Sequence, residues 1–192
     1  MDKMIVLGLS SLPGGGKDYV ADLLSKEYGF YKITPGDIVR EILKKKGLPI
    51  TRENEQNIPI EYRKKYGEDF LMKMVYKRAK ESGRKLIAVS GIRTPGDLKF
   101  FRMKLDGNFK DISIVCAAKI RYSRIKERKR EDAPHSFSEF LKQDKAERKL
   151  FKLDETEKLS DFKLRNEGNE KQLRRNLNRI LDKFGLRYLL TK

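Results

Sequence analysis

The chain has 192 residues, 38% of them hydrophobic and 38% charged, which is apolar material enough for one domain with a sizeable core and too much for a disordered chain. Its 45 Lys and Arg against 28 Asp and Glu give a formal net charge of +17, a field that gathers anions such as nucleotides, coenzymes or nucleic acid without choosing among them. No apolar run approaches the roughly 20 residues of a membrane span and the first residues lack a secretory signal pattern, so the expectation is a soluble, cytoplasmic protein with no membrane partner.

The first run, MIVLGLS, is short and apolar and meets a glycine cluster, as a buried strand entering a tight loop does. KDYVADLLSKEYG follows as a helix with Val20, Leu23 and Leu24 at helical spacing and Gly29 as its stop. FYKIT reads as a strand, and Pro35 opens a helix through Ile38, Ile42 and Leu43 that ends near Gly47. A polar, helix-compatible stretch then leads to an apolar stripe of Phe70, Leu71, Met74 and Val75.

RKLIAVSGIR is a further buried strand, ending in Ser90, Gly91 and Arg93, with a helix after it in TPGDLKFFRMKL. FKDISIVCAA is the next strand, KIRYSRIKERKRED a basic helix and SFSEFLKQDKAERKLFKL a second helix. DFKLRNEG supplies a last short strand, and NEKQLRRNLNRILDKFG a closing amphipathic helix with Leu173, Leu177, Ile180 and Leu181 on one side. Strands alternating with helices imply parallel pairing and right-handed crossovers, hence a three-layer α/β/α domain with a central parallel sheet. The single cysteine, Cys116, cannot form an internal disulfide and reads as a buried, inert thiol. The lone His135 reads as a surface residue and argues against a metal centre of histidine and cysteine.

The chemistry concentrates in Ser11-Leu12-Pro13-Gly14-Gly15-Gly16-Lys17-Asp18, which stands where a phosphate loop of the form G-x-x-x-x-G-K-[ST] would. Glycines let backbone N–H groups turn toward phosphate oxygens, the next helix offers its positive end, and the lysine reaches the outer phosphates. Ser11 replaces the first glycine, which asks whether the backbone tolerates a β-carbon there. Asp18 replaces the hydroxyl that normally meets Mg²⁺, and a carboxylate beside phosphates is repelled unless a cation lies between them.

LPGGGKD, TPGDIVREILKKKG, VSGIR, RYSRIKERKRED and DFKLRNEG occur in the order found in adenylate-kinase-like P-loop kinases. From Met4 to about Phe184 the chain resembles nucleoside monophosphate kinases, dephospho-CoA kinases and a related uncharacterised group. The resemblance implies a P-loop NTPase fold over 1–192, with an acceptor-binding helical insertion at 34–75 and a lid region at 119–150. It implies that Pro13, Gly14, Gly15, Gly16, Lys17, Asp18 and Tyr19 hold ATP, with Asn166 and Gly168 against its base. Gly36, Asp37 and Arg40 would bind the acceptor, Arg40 clamping its phosphate; the structural alternative makes Asp37 a helix-start residue and Arg40 a solvated side chain. Arg93 would bridge donor and acceptor, and Arg121, Arg124, Arg128 and Arg130 would form the lid, unless that helix is only a solvated basic face. Lys17, Arg93, Arg124 and Arg128 are the expected catalytic residues.

The strand before the bridging arginine commonly ends in an aspartate in this group, whereas Ser90 stands there in this chain. Carboxylate and hydroxyl are exchanged, so Asp18 and Ser90 together become the candidate Mg²⁺ ligands. The leading expectation is Mg²⁺-dependent transfer of the ATP γ-phosphoryl to a nucleoside monophosphate or similar nucleotide acceptor. The second is a dephospho-CoA kinase acting on a ribose hydroxyl with Asp37 as base. A third, from another class, is a nucleotide-gated RNA-binding protein whose basic helix meets a phosphate backbone and whose Tyr122 stacks.

Overall fold

The structure, a computed structural model, describes residues 4–128 and 133–186, apart from the Arg52 side chain. Five strands among them make one wholly parallel sheet in the order β2-β3-β1-β4-β5. They are β1 (Ile5–Ser11), β2 (Tyr31–Ile33), β3 (Leu86–Ile92), β4 (Phe109–Val115) and β5 (Phe162–Arg165). The period-2 alternation of a strand sends Leu7, Leu9, Ala88, Ile112 and Ile114 to one face and Val6, Ile87, Val89 and Phe109 to the other. Because both faces are covered, the strands read in sequence as continuous apolar runs.

On the first face lie α1 (Lys17–Tyr28) and α9 (Glu170–Lys183), whose Val20, Leu23, Leu24, Leu173, Leu177, Ile180 and Leu181 are all buried as the spacing predicts. On the second lie α2 (Pro35–Lys45), α3 (Arg52–Tyr66), α4 (Phe70–Glu81) and α5 (Pro95–Leu105), joined through Ile38, Leu43, Ile58, Met72, Val75 and Phe101. This is the expected three-layer α/β/α fold. Three more helices follow β4: α6 (Ala118–Glu127) packs on α7 (Phe137–Phe151), and α8 (Leu153–Leu159) packs on α5 and β1. Among the described residues no helix is long and apolar enough to cross a membrane.

Four expectations need correction. The polar stretch after Pro49 is not a lead-in but the start of α3, capped by Thr51 and running through Pro59, and Gly67 at φ 98° separates it from α4. The helix expected to continue past Phe151 stops at Lys152, which takes a left-handed φ of 51°, and the separate α8 follows. The basic helix ends at Glu127, and Arg130 lies outside the described residues. Cys116 is not a core residue: it sits half-buried just past β4, its Sγ 3.5 Å from Arg124 Nη1, and burial pushes its thiol pKa up.

One buried polar cluster ties the sheet to α8. Asp111 of β4 is fully buried, and its Oδ2 accepts hydrogen bonds from Ser10 (2.7 Å) and Ser160 (2.6 Å) while its Oδ1 has no partner. A β-carbon on Gly8 would stand 2.8 Å from that Oδ1, which accounts for a glycine in the central strand. Burial pushes the carboxyl up to about 6, aided by nearby Asp161 and opposed by the two hydroxyls. An unfolded aspartate releases its proton near pH 4; the folded one holds it to about pH 6. Its stabilising share is therefore complete below about pH 4 and lost as pH rises through 6. Urea unfolding between pH 5 and 7.5 should show wild type losing on the order of 1 kcal/mol relative to Asp111→Asn; parallel pH profiles would refute this.

Candidate active site

The phosphate loop leaves β1, the central strand, and enters α1 at the carboxyl edge of the sheet, where open parallel sheets bind ligands. Gly14 (φ 80°) and Gly16 (φ 100°) take left-handed conformations, and Gly16 caps α1. Ser11 Oγ donates to the Leu12 carbonyl at 2.8 Å, and the Gly15 N–H closes a turn onto the same oxygen at 3.0 Å. A β-carbon on Gly15 would fall 2.0 Å from Ser11 Oγ. The serine in place of the first glycine is thus accommodated by a glycine at a position that the motif leaves free.

Lys17 Nζ lies 2.8 Å from Asp18 Oδ2, and the other Asp18 oxygen accepts from Ser90 Oγ at 2.6 Å. The structure brings together the two residues that the sequence pairs as exchanged ligands. Ser90 reaches α1 because alternation along β3 puts it on the same face as Ala88, which packs with α1. The irregularity comes just after it, where Leu9 pairs with Ser90 but Ser10 pairs with Ile92, leaving Gly91 between them at φ 137° and turning Ile92 to the opposite face. Burial lowers the Lys17 pKa, and the Arg93 and Arg128 charges lower it further against the pull of Asp18. Burial works to raise the Asp18 carboxyl, but the Lys17 charge and the hydrogen bonds from Lys17 and Ser90 outweigh it and hold the pKa below its ordinary value.

A cleft of about 320 Å³ opens over the loop. It receives Lys17, Asp18, Arg93 and Arg128, with Glu55 on one flank and Glu147 on the other. Arg93 stacks over the Phe151 ring at 4.9 Å and stands 4.0 Å from Glu147, half-exposed. Its backbone N–H is held by Asp97, which also closes a capping box with Thr94 at the start of α5. Arg40 folds over Gly36 and is held by Asp37 and by Glu55 (2.8 Å); chiefly through the Glu55 hydrogen bond its pKa is raised.

The expected lid arginines separate. Arg128 faces the cleft. Arg124 donates to the Asn166 carbonyl at 3.1 Å and is not among the residues lining the cleft. Arg121 is 1% exposed and bound bidentately to Asp144 at 2.6 and 2.9 Å, with the Phe140 ring beneath it at 5.2 Å. A guanidinium so enclosed is not a residue that swings onto a ligand. Asn166 also differs from expectation, its amide bonding the Gly15 carbonyl at 2.9 Å, while Gly168 lies beside Gln172. Tyr19 is exposed on α1, where its phenol pKa is raised by burial and by Glu170. Tyr122 is partly buried and packs its ring against Phe137 and Phe140. Asp144, Glu55 and Glu147 were not legible as site residues, since acidic positions on amphipathic helices look like solvated surface.

A family model described as an AAA domain matches residues 7–149. The chain belongs to the AAA domain family. Over 182 residues it is 30% identical to a UPF0200 protein of Methanothermobacter thermautotrophicus, covering 94% of this chain and 91% of that one. Among solved structures it is similar to TT1252 from Thermus thermophilus, with a TM-score of 0.66 and 16% identity over 94% of this chain and 98% of that one. It is also similar to shikimate kinase from Acinetobacter baumannii in complex with shikimate, with a TM-score of 0.55 and 13% identity over 95% and 96% of the two chains. This AAA-family chain therefore shares its three-layer α/β/α fold with those two proteins.

The Ser11–Gly15 contact makes a direct prediction. Gly15→Ala alone should destabilise the protein by about 1–3 kcal/mol, the usual cost of overpacking. Adding Ser11→Gly should restore at least about 1 kcal/mol of that. A denaturation double-mutant cycle in which the two changes simply add would show that the residues are not coupled.

Proposed function

We propose that the protein is a Mg²⁺-dependent phosphotransferase that moves the γ-phosphoryl of ATP to a nucleotide acceptor, most simply a nucleoside monophosphate. The observation that carries this reading is the convergence of Lys17, Arg93 and Arg128 on one cleft above a glycine loop and a helix N-terminus. In this reading Gly14, Gly15, Gly16 and Lys17 hold the β- and γ-phosphates, Arg93 spans donor and acceptor, and Arg128 neutralises charge from the 119–150 segment acting as lid. Residues 34–75 form the acceptor side, with Gly36, Asp37 and Arg40 at its edge. An acceptor phosphate oxygen forms the new P–O bond, the bond to the β–γ bridging oxygen breaks, and ADP departs. The nucleophile is already ionised, so the protein supplies position and charge.

Asp18 and Ser90 fit a magnesium ion by the chemistry of their donors: a carboxylate that lines the cleft and a hydroxyl buried behind it, 2.6 Å apart, are both hard oxygens. When bound, the ion would neutralise phosphate charge and fix the geometry of the phosphates. Lys17 is placed to leave Asp18 for phosphate once the carboxylate has a cation.

A hydroxyl acceptor such as the ribose of dephospho-CoA is the second reading, supported by the state of Arg40. Its guanidinium is already engaged by Asp37 and Glu55, so an acceptor phosphate must displace carboxylates there. Asp37 could instead take the proton of an attacking hydroxyl.

Purified protein with Mg²⁺-ATP and a panel of AMP, CMP, deoxynucleotides and dephospho-CoA should release ADP with a monophosphate; turnover confined to dephospho-CoA would select the second reading. Lys17→Ala should lower kcat/KM by about 100-fold or more. Asp18→Ser and Ser90→Asp should each lower turnover by roughly tenfold or more, and the double swap should recover part of it. A double swap no better than the singles would dismiss the exchanged-ligand assignment.

A further inference from the structure

We propose that Arg121 and Asn166 are positioning residues that set the conformation of the phosphate loop from behind; this rests on the reading that the loop binds phosphates. A loop that turns its N–H groups toward an anion must turn its carbonyls away, and each carbonyl then needs a donor of its own. Two of these needs are met locally, the Leu12 carbonyl by Ser11 and Gly15, and the Gly16 carbonyl by the Val20 N–H. Two more, those of Pro13 and Gly15, are met from far along the chain. Arg121 Nη1 donates to the Pro13 carbonyl at 3.1 Å, and Asn166 Nδ2 to the Gly15 carbonyl at 2.9 Å.

Both donors are fixed. Arg121 makes its Pro13 bond while held bidentately by Asp144 and while its Nε donates to the Cys116 carbonyl at 3.1 Å. Asn166 is 7% exposed at the end of β5, its backbone N–H bonded to the Val115 carbonyl. The glycines of the loop register both contacts. A β-carbon on Gly14 would stand 2.6 Å from the Arg121 carbonyl oxygen, and one on Gly16 would stand 2.3 Å from Asn166 Nδ2. Gly14 therefore admits the backbone of α6, and Gly16 admits the Asn166 amide. The basic helix contributes a buried brace as well as Arg128, and a role in binding follows without either residue touching a ligand.

The test is calorimetric titration of the full chain with MgADP and, separately, with inorganic pyrophosphate. Arg121→Met with Asp144→Leu removes both charges, so no buried ion is stranded, and its thermal midpoint should stay within several degrees of wild type. Its affinity for both probes should fall about tenfold or more. Asn166→Ala should show the same loss, and Arg121→Lys, which keeps a cation but not the fork, should fall between. Adenosine, which has no phosphate, should bind all variants as it binds wild type. Wild-type protein that binds neither probe overturns the phosphotransfer reading and the brace with it. Variants that match a binding-competent wild type overturn the brace alone, as does an equal loss of adenosine binding. Should the double variant fail to fold, Arg121→Lys and Asn166→Ala decide the matter by the same affinities.

Discussion

A peptide loop cannot offer its N–H groups to a phosphate unless its carbonyls are satisfied elsewhere, and on the phosphotransfer reading the elements around the glycine loop are arranged to meet that constraint. The loop springs from the central strand, so β4 and β5 on one side and the helices after them can reach its outer surface. Asn166 arrives on the end of β5 and Arg121 on the first turns of α6, each at the carboxyl edge because parallel strands all end there. The Arg121–Asp144 pair, extended by Arg148 on the same helix as Asp144, joins α6 to α7. A buried ion pair of this kind adds little net stability, because desolvation offsets its attraction. What it does supply is a fixed donor at the Pro13 carbonyl.

The other half of the site depends on one extra residue in β3. Gly91 interrupts the pairing with β1, and a β-carbon there would press on the Pro35 ring at 3.2 Å. Ser90 faces Asp18 on α1 from the regular part of the strand, and the irregularity after it turns Ile92 to the opposite face as the chain leaves the sheet and Arg93 enters the cleft. Pro35 at the head of α2 packs against it, so the segment bearing Arg40 is registered to the strand bearing Arg93. Two arginines on different elements are thereby held near one cleft by a single glycine.

The fold was legible because its cues are local. Period-2 and period-3.6 patterns, Gly29 at the end of α1 and the leucines of α9 locate elements without knowledge of their partners. The failures came where long-range packing decided the outcome. Lys152 breaks a helix with no sequence signal, and α3 passes through Pro59 because Ile58 and Tyr62 have a core to join. The loop, Lys17 and the Asp18–Ser90 pairing were readable from motif order, since the exchange appears as two complementary departures. Arg121 was not, because an arginine in a basic segment looks the same whether it faces water or an aspartate 23 positions away. Ser11 became intelligible only with its hydroxyl placed beside Gly15.

The charges within the cleft are unevenly committed. Arg93 meets Glu147 at 4.0 Å and is half-exposed, and such a pair contributes at most about 1 kcal/mol, so on the proposed reading an incoming phosphate would displace it readily. Arg40 is held by two carboxylates from two helices, and one of them, Glu55, lines the cleft itself. Releasing it exposes two anions to the acceptor at once. A ligand that presents only one phosphate to this corner gains one ion pair and meets two repulsions. One that also places a donor, such as a base amine or a sugar hydroxyl, against Glu55 or Asp37 recovers what the phosphate disrupts. On the phosphotransfer reading, discrimination at the acceptor side would therefore fall to groups beside the phosphate, and the donor side, where only Asp18 is paired with Lys17, would be the more permissive half.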